Sequence, residues 1–256
     1  SVVLVSNEGN ATLTTTLPRV HVAISGIEKI VPTLEDVATL MRLLPRSATG
    51  QSISNYVDIL TGVKGEGEFH GAEHMYFILV DAGRSAVLGG ELREALRCIR
   101  CGACMNHCPV YQSVGGHSYG WVYPGPIGSI LTPSYVGLEN ALDLPQAATL
   151  CNQCGVVCPV KIPLPDLLRK LREQQFERHL RPWVERAGLR LWWWLAAHPR
   201  LYAAATRTAA RVLHAMGGRE GLLHKVPFGS GWSDGRDMPA PAGRTFRDLY
   251  RARTKP

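Results

Sequence analysis

Seven cysteines occur in this chain, and all of them fall within residues 98–158 at spacings that are typical of iron–sulfur proteins. The first group reads Cys-x2-Cys-x2-Cys-x3-Cys-Pro and the second reads Cys-x2-Cys-x3-Cys-Pro. In two-cluster proteins the two-residue gaps wrap three thiolates around one cluster, whereas the cysteine before proline ligates the other cluster. We therefore predict two iron–sulfur clusters. Cluster 1 is assigned Cys98, Cys101, Cys104 and Cys158, and cluster 2 is assigned Cys108, Cys151 and Cys154.

The two predicted sites are unequal, because Ala148 stands where a complete second motif would place a cysteine. Cluster 1 is predicted to be [4Fe–4S]. For cluster 2, with three thiolates, three alternatives stay open: [4Fe–4S] with a fourth ligand other than cysteine, [3Fe–4S], or an iron reached by a partner chain or a substrate. His107 and His117 are the nearest histidines in sequence, and neither is assigned as a ligand.

Zinc and disulfides are the chemical alternatives for these cysteines. A zinc ribbon closes one tetrahedral site with two Cys-x2-Cys pairs, and the first group with its following proline does not fit that pattern. An odd number of cysteines, tightly spaced and without a secretory signal pattern, argues against a disulfide framework. The cysteines therefore indicate a cytoplasmic iron–sulfur protein.

The fold class expected from the remaining sequence is α+β, in three parts. Residues 1–86 alternate strand and helix patterns, which predicts the C-terminal part of an incomplete α/β domain whose beginning lies on another chain or was lost. Strands are predicted at Val2–Val5, Val20–Ile24, Tyr56–Leu60 and Met75–Val80. Thr33, with Asp36 three residues later, predicts the start of a helix. Arg46, Ser47 and Thr49 are expected in a surface loop, with anion binding as the alternative.

Residues 87–172 are predicted to form an α-helical ferredoxin-like domain with two clusters. The 42 residues from Pro109 to Leu150 are too many for a compact β-rich ferredoxin and favour helices. A helix is predicted at Glu91–Arg97, and Leu164, Leu167, Leu168 and Leu171 place an apolar stripe on a second helix. The segment Tyr123–Gly128 is interpreted as a rigid turn, with shielding of cluster 2 or a substrate entrance as the alternatives.

Residues 173–256 are predicted to be a basic helical region with a Gly/Pro-rich extended tail at 226–245. Residues 161–256 hold nineteen Lys/Arg against eight Asp/Glu, whereas residues 1–160 hold nine against thirteen. A solvated helical surface is the favoured interpretation, over an anionic membrane surface, an acidic partner or nucleic acid, for which no binding motif is present. Two helices split at Pro199 are predicted, and Trp192–Trp194 in the first favours a protein contact over peripheral membrane contact. The longest apolar run, seven residues, is shorter than the about 20 of a membrane-spanning helix.

Several motifs together resemble the lactate utilization protein B family over nearly the whole chain. They are Asn7–Asn10, Thr14–Pro18, Leu43–Gly50, Cys98–Cys104, Cys108–Tyr111, Gly115–His117, Tyr123–Gly128, Leu150–Cys154, Cys158–Pro163, Gly231–Asp234 and Phe246–Asp248. The three-cysteine second group is similar to that family's usual form. Members of the family are longer, with most of the extra chain ahead of Ser1.

The resemblance implies a function for the chain in a cytoplasmic complex that oxidises L-lactate to pyruvate. The chain would be its iron–sulfur electron-transfer subunit, an oxidoreductase component with no assigned catalytic residue. Its partners would be a cysteine-rich subunit related to heterodisulfide reductases and a small lactate-utilization-domain subunit. The alternative is a stand-alone ferredoxin-like carrier that serves another dehydrogenase or a quinone-linked oxidoreductase.

Overall fold

The structure, a computed structural model, describes residues 1–226 and 233–253 and divides into two compact units, residues 1–180 and 181–256. The first unit begins with four strands, each overlapping a predicted one. They are β1 (Val2–Ser6), β2 (Val20–Gly26), β3 (Tyr56–Leu60) and β4 (His74–Val80). β1 pairs antiparallel with β3, and β2 pairs parallel with β4. Val22 and Ile24 on β2 and Phe77 on β4 remain exposed. Because parallel sheets are normally covered on both faces, this pair has less cover than is usual for parallel strands.

Three helices belong to the strand-containing part. They are α1 (Asn10–Thr16), α2 (Leu34–Thr49) and α3 (Arg84–Leu88). The predicted start of α2 is confirmed, since the Thr33 hydroxyl oxygen accepts a bond from the Asp36 N–H at 3.2 Å. The helix ends at Gly50, whose φ of 78° suits a glycine cap. The surface loop expected at Arg46–Thr49 is wrong, because helical hydrogen bonding continues through these residues to Gly50.

The cluster-bearing part is helical, as the cysteine spacing predicts. Its helices are α4 (Ala103–Asn106), α5 (Pro109–Val114), α6 (Gly125–Val136), α7 (Gln153–Val156) and α8 (Leu164–Glu177). Residues 125–133 of α6 are all buried. The four leucines of the predicted α8 stripe are each at most 2% exposed, and α8 contacts α6. The helix predicted at Glu91–Arg97 is a shorter 3₁₀ turn, Arg93–Arg97.

The second unit contains α9 (Trp183–Ala197), α10 (Pro199–Met216) and α11 (Phe246–Arg253), together with the short antiparallel pair β5 (Leu222–Leu223) and β6 (Met238–Pro239). The predicted split at Pro199 is confirmed. No residue of α9 or α10 is buried, and Trp192, Trp193 and Trp194 are all exposed. Within the tail expected at 226–245, residues 227–232, including Gly231 and Trp232 of the family-like motif, lie outside the described residues. None of the helices in the described part of the chain is both long and apolar enough to cross a membrane.

A substitution at Gly128 tests how tightly α6 is packed. A Cβ atom there would lie 1.6 Å from the backbone oxygen of Tyr123, so Gly128→Ala is expected to displace the start of α6. We expect a loss of at least about 1–3 kcal/mol of stability, the usual cost of overpacking, and early release of the clusters on heating, followed by visible absorbance. Gly188 in α9 is the control, because nothing lies within 4 Å of its added Cβ. A Gly128→Ala protein as stable as Gly188→Ala would contradict this close packing.

Candidate iron–sulfur site

The two cysteine loops follow the same backbone course, with corresponding positions 50 residues apart along the chain. A 3₁₀ turn precedes each loop, at Arg93–Arg97 and Leu144–Gln146. Arg100 and Leu150 then adopt left-handed conformations, with φ of 64° and 55°. Gly102 and Asn152 do the same, with φ of 77° and 67°, immediately before α4 and α7. Left-handed non-glycine residues cost about 1–3 kcal/mol each and concentrate at functional sites.

One cavity of about 190 Å³ lies between the loops and is lined by Cys98, Cys101, Cys104 and Cys158. These are the four cysteines predicted for cluster 1, three from the first loop and one from the second. Apolar side chains complete the lining, among them Ile127, Leu131 and Ile162. The structure therefore brings four thiols together around a mostly apolar space that can hold a group larger than one ion.

The thiol geometry also bears on the zinc and disulfide alternatives. All seven cysteines are free thiols. Among the residues that the structure describes, no three His, Cys, Asp or Glu side chains are close enough to hold one metal ion. A zinc site would bring its thiolates within about 2.3 Å of a single ion. The four cysteines Cys98, Cys101, Cys104 and Cys158 surround a cavity of about 190 Å³, which has room for a group larger than one ion.

Backbone N–H groups point at the sulfurs that line the cavity. Arg100 N–H lies 3.4 Å from Cys98 Sγ, and Ile162 N–H lies 3.4 Å from Cys158 Sγ. Burial raises the pKa of Cys104 to about 12, opposed by the Ile127 N–H at the start of α6. Without iron this thiol stays protonated at neutral pH, so cluster binding must release its proton. The N–H groups then stabilise the thiolates, which is how a protein tunes cluster potentials.

The segment Tyr123–Gly128 lies against this first cavity. Tyr123, Pro124 and Ile127 line it, and the segment leads directly into buried α6. The Arg100 guanidinium lies over the Tyr123 ring, 3.9 Å from its centroid. The segment therefore lies against the four cysteines predicted for cluster 1, whereas the shielding alternative placed it at cluster 2. The rigid turn expected here is wrong for residues 125–128, which form the first turn of α6.

The three cysteines predicted for cluster 2 lie in more varied surroundings. Cys108 is buried, Cys154 is half-buried and Cys151 is exposed. Burial raises the pKa of Cys154, and the neighbouring Cys151 and Cys108 raise it further. A hydrogen bond with Thr149 lowers the pKa of Cys151. Cys154 is thus near enough to both Cys108 and Cys151 to feel their charge, and Cys151 faces solvent.

The Tyr119 hydroxyl is a buried polar group beside this second site. It has no nitrogen or oxygen partner, and burial raises the pKa of Tyr119 to about 12 with a further contribution from Cys108. Its ring lies 6.1 Å from that of Tyr111. The nearby sulfur of Cys108 is the acceptor that the hydroxyl can use. The cysteine spacing gives no signal for this residue, because Tyr119 lies in the insertion between the two groups.

Ala148 occupies the backbone position that corresponds to Cys98. Its carbonyl accepts a bond from Arg172 Nη2 at 2.8 Å, and the same guanidinium donates to the Pro145 carbonyl at 2.8 Å. Burial, followed by the nearby Arg169, lowers the pKa of Arg172. The segment before Ala148 is thus fixed to α8. His107 Nδ1 lies 3.1 Å from the Ala103 carbonyl oxygen, and His117 is exposed.

Three protein families match consecutive parts of the chain. They are described as LUD domain at residues 1–80, 4Fe-4S dicluster domain at 94–162, and Lactate utilisation protein B, C-terminal, at 166–255. The molecule is therefore an iron–sulfur protein in which a LUD domain precedes a 4Fe-4S dicluster domain. This agrees with the predicted α+β fold and with the iron–sulfur clusters inferred from the cysteines.

Individual proteins from several bacteria are similar to this chain over its whole length. Lactate utilization protein B of Shouchella clausii is 46% identical over 256 residues, which are 100% of this chain and 54% of the relative. The protein of the same name from Lysinibacillus sphaericus is 44% identical, with 100% and 54% covered. An Escherichia coli relative, "Uncharacterized electron transport protein YkgF", is 41% identical, with 98% and 53% covered.

The chain is thus similar over its whole length to proteins named lactate utilization protein B, and the resemblance noted from the motifs is confirmed. It spans about half the length of the curated relatives it matches. No solved structure matches the chain at a comparable level of significance.

Proposed function

We propose that this chain is the iron–sulfur electron-transfer subunit of a cytoplasmic complex that oxidises L-lactate to pyruvate. The observation that carries the proposal is the cavity between the two loops, lined by three cysteines of the first and one of the second. That cross-over is the ligand pattern of two-cluster electron carriers. The names of the Shouchella and Lysinibacillus relatives supply the link to lactate.

Each cysteine has a role in the proposal. Cys98, Cys101, Cys104 and Cys158 hold a [4Fe–4S] cluster 1, and Cys108, Cys151 and Cys154 hold cluster 2, either [4Fe–4S] with an outside fourth ligand or [3Fe–4S]. When bound, such clusters accept and donate single electrons. Oxidation of lactate to pyruvate releases two electrons and two protons. Because each cluster carries a single electron, the two electrons would leave one at a time. The lining around the first four cysteines is mostly apolar.

The proposal also covers the organisation of the chain and its partners. Residues 1–86 form the end of a lactate-utilization-type domain, 87–172 the two-cluster domain and 173–256 a basic helical region. The partners are a cysteine-rich subunit related to heterodisulfide reductases and a small lactate-utilization-domain subunit. Trp192–Trp194 are exposed and available for a protein contact.

Anaerobic purification with the two partner subunits tests this function in two stages. The chain alone should be brown and should contain iron and acid-labile sulfide. In the reconstituted complex, L-lactate should bleach the visible absorbance and generate the EPR signal of reduced clusters, and D-lactate is the control substrate. A colourless zinc protein would contradict the cluster assignment. Loaded clusters that L-lactate leaves oxidised in the complex would contradict only the lactate role.

A stand-alone electron carrier is the second candidate, favoured by the Escherichia coli relative, whose name gives electron transport without a substrate. The same preparation separates the two candidates. Co-purification of the chain with the two subunits favours the complex. A chain that stays alone, yet exchanges electrons with an unrelated dehydrogenase, favours the carrier.

A further inference from the structure

A lysine from the strand-containing part reaches the first cysteine loop. Lys29 ends the 3₁₀ turn Ile27–Lys29 that follows β2, and its Nζ donates a hydrogen bond to the carbonyl oxygen of Cys98. The two residues are 69 positions apart in sequence. The contact therefore joins the residues that match the LUD domain to the loop that lines the first cavity.

A network of charges surrounds this lysine. Glu28 Oε2 lies 2.6 Å from Arg84 Nε, and Glu28 Oε1 lies 3.5 Å from Arg100 Nη2 and 3.8 Å from Lys29 Nζ. The side chains of Glu28 and Arg84 are only 5% and 8% exposed. Three cations thus face one carboxylate beside Cys98. Salt screens the buried Glu28–Arg84 pair weakly, whereas the Lys29 and Arg100 side chains are 31% and 37% exposed.

The corresponding carbonyl of the second loop is also held by a cation. There the Ala148 carbonyl accepts from Arg172, which comes from α8 within the cluster-bearing part itself. The same backbone position thus has a cationic donor in both loops, although the donors come from different parts of the chain. Arg100 has Leu150 as its counterpart in the second loop, where Arg169 instead donates to the Asn152 side chain at 3.0 Å.

We propose that Lys29 is a positioning residue through which the LUD-domain part completes the first cysteine loop and raises the reduction potential of cluster 1. The Lys29 ammonium holds the Cys98 carbonyl, and with Arg100, which lines the cavity, it places positive charge beside the cysteines of that cluster. Reduction adds one negative charge to a cluster, and nearby positive charge stabilises the reduced state. This inference rests on the proposed clusters, and it adds a role in setting the potential for residues that bind no iron.

Redox titration of the full chain, followed by EPR, tests the role of Lys29. In Lys29→Gln we expect cluster 1 to become harder to reduce, with its reduced-to-oxidised ratio at a fixed potential falling about tenfold, which corresponds to about 59 mV. Lys29→Arg should retain the potential, because it keeps the charge. Cluster 2 is the internal reference. Lys64→Gln is the matched control, because Lys64 pairs with Glu73 at 3.1 Å in the same part of the chain.

The sign of the effect separates electrostatics from general damage. Glu28→Gln removes the one carboxylate, so it should make cluster 1 easier to reduce, opposite to Lys29→Gln. Loss of cluster 1 from Lys29→Gln but not from Lys29→Arg would support the proposal that a cation at residue 29 holds the Cys98 carbonyl in place. Unshifted potentials with both clusters loaded, or equal shifts of the two clusters, would overturn the inference. If the unchanged chain carries no cluster, the proposed function fails first.

Discussion

Replacing Cys158 with serine is expected to abolish the EPR signal of cluster 1 and to leave that of cluster 2 in place, although Cys158 lies in the second cysteine group. Cys158 is 7% exposed and lines the same cavity as Cys98, Cys101 and Cys104. A serine oxygen is a poor replacement for a soft thiolate ligand, so one iron of cluster 1 would lose its protein ligand. The measurement is the EPR spectrum of the dithionite-reduced protein, with its iron and sulfide content.

Cys108→Ser is the reciprocal variant and serves as the control. It lies in the first group, and it should alter cluster 2 while cluster 1 remains loaded. A protein in which each group bound its own cluster would show the opposite pattern, with Cys108→Ser damaging the signal of the first group's cluster. That result would overturn the cross-over assignment even if both clusters were present.

Local spacing was enough to predict the start of α2 and the buried face of α8. The Leu164–Leu171 stripe predicts α8 because residues three and four apart share a helix face, and those leucines are buried against α6. Thr33 and Asp36 predict the start of α2 because both groups of the cap lie within one turn. Such features need no information from distant parts of the chain.

Contacts between distant segments could not be predicted in the same way. The bond from Lys29 to Cys98 depends on how the turn after β2 meets the first loop, and neither residue carries a local sign of the other. The Ile127 N–H reaches Cys104 because the buried start of α6 packs against the first cysteine loop, 23 residues away in sequence. The left-handed conformations of Arg100 and Leu150 could not be predicted either, because neither arginine nor leucine favours positive φ.

Replacing Ala148 with cysteine is expected to complete cluster 2. The two loops follow the same course, and Ala148 stands where the first loop places Cys98, with its carbonyl fixed by Arg172. A thiol added there is expected to ligate the iron of cluster 2 that lacks a cysteine, as Cys98 is expected to do for cluster 1. One further ligand bond worth about 1.4 kcal/mol would slow iron loss about tenfold. The expected result is slower release of iron to a chelator.

The spectroscopic result should agree with the iron measurement. Exposure of the unchanged chain to air is expected to leave a [3Fe–4S] signal from cluster 2, because one iron lacks a thiolate, and Ala148→Cys should suppress that signal. Ala147→Cys is the matched control, since it adds a thiol one residue away while the Ala147 N–H stays bonded to the Asp143 and Leu144 carbonyls. If the two variants retained iron equally well, the effect of the added thiol would not depend on its position in the loop. The correspondence between Ala148 and Cys98 would then be wrong, and the fourth ligand of cluster 2 would have to approach from another side.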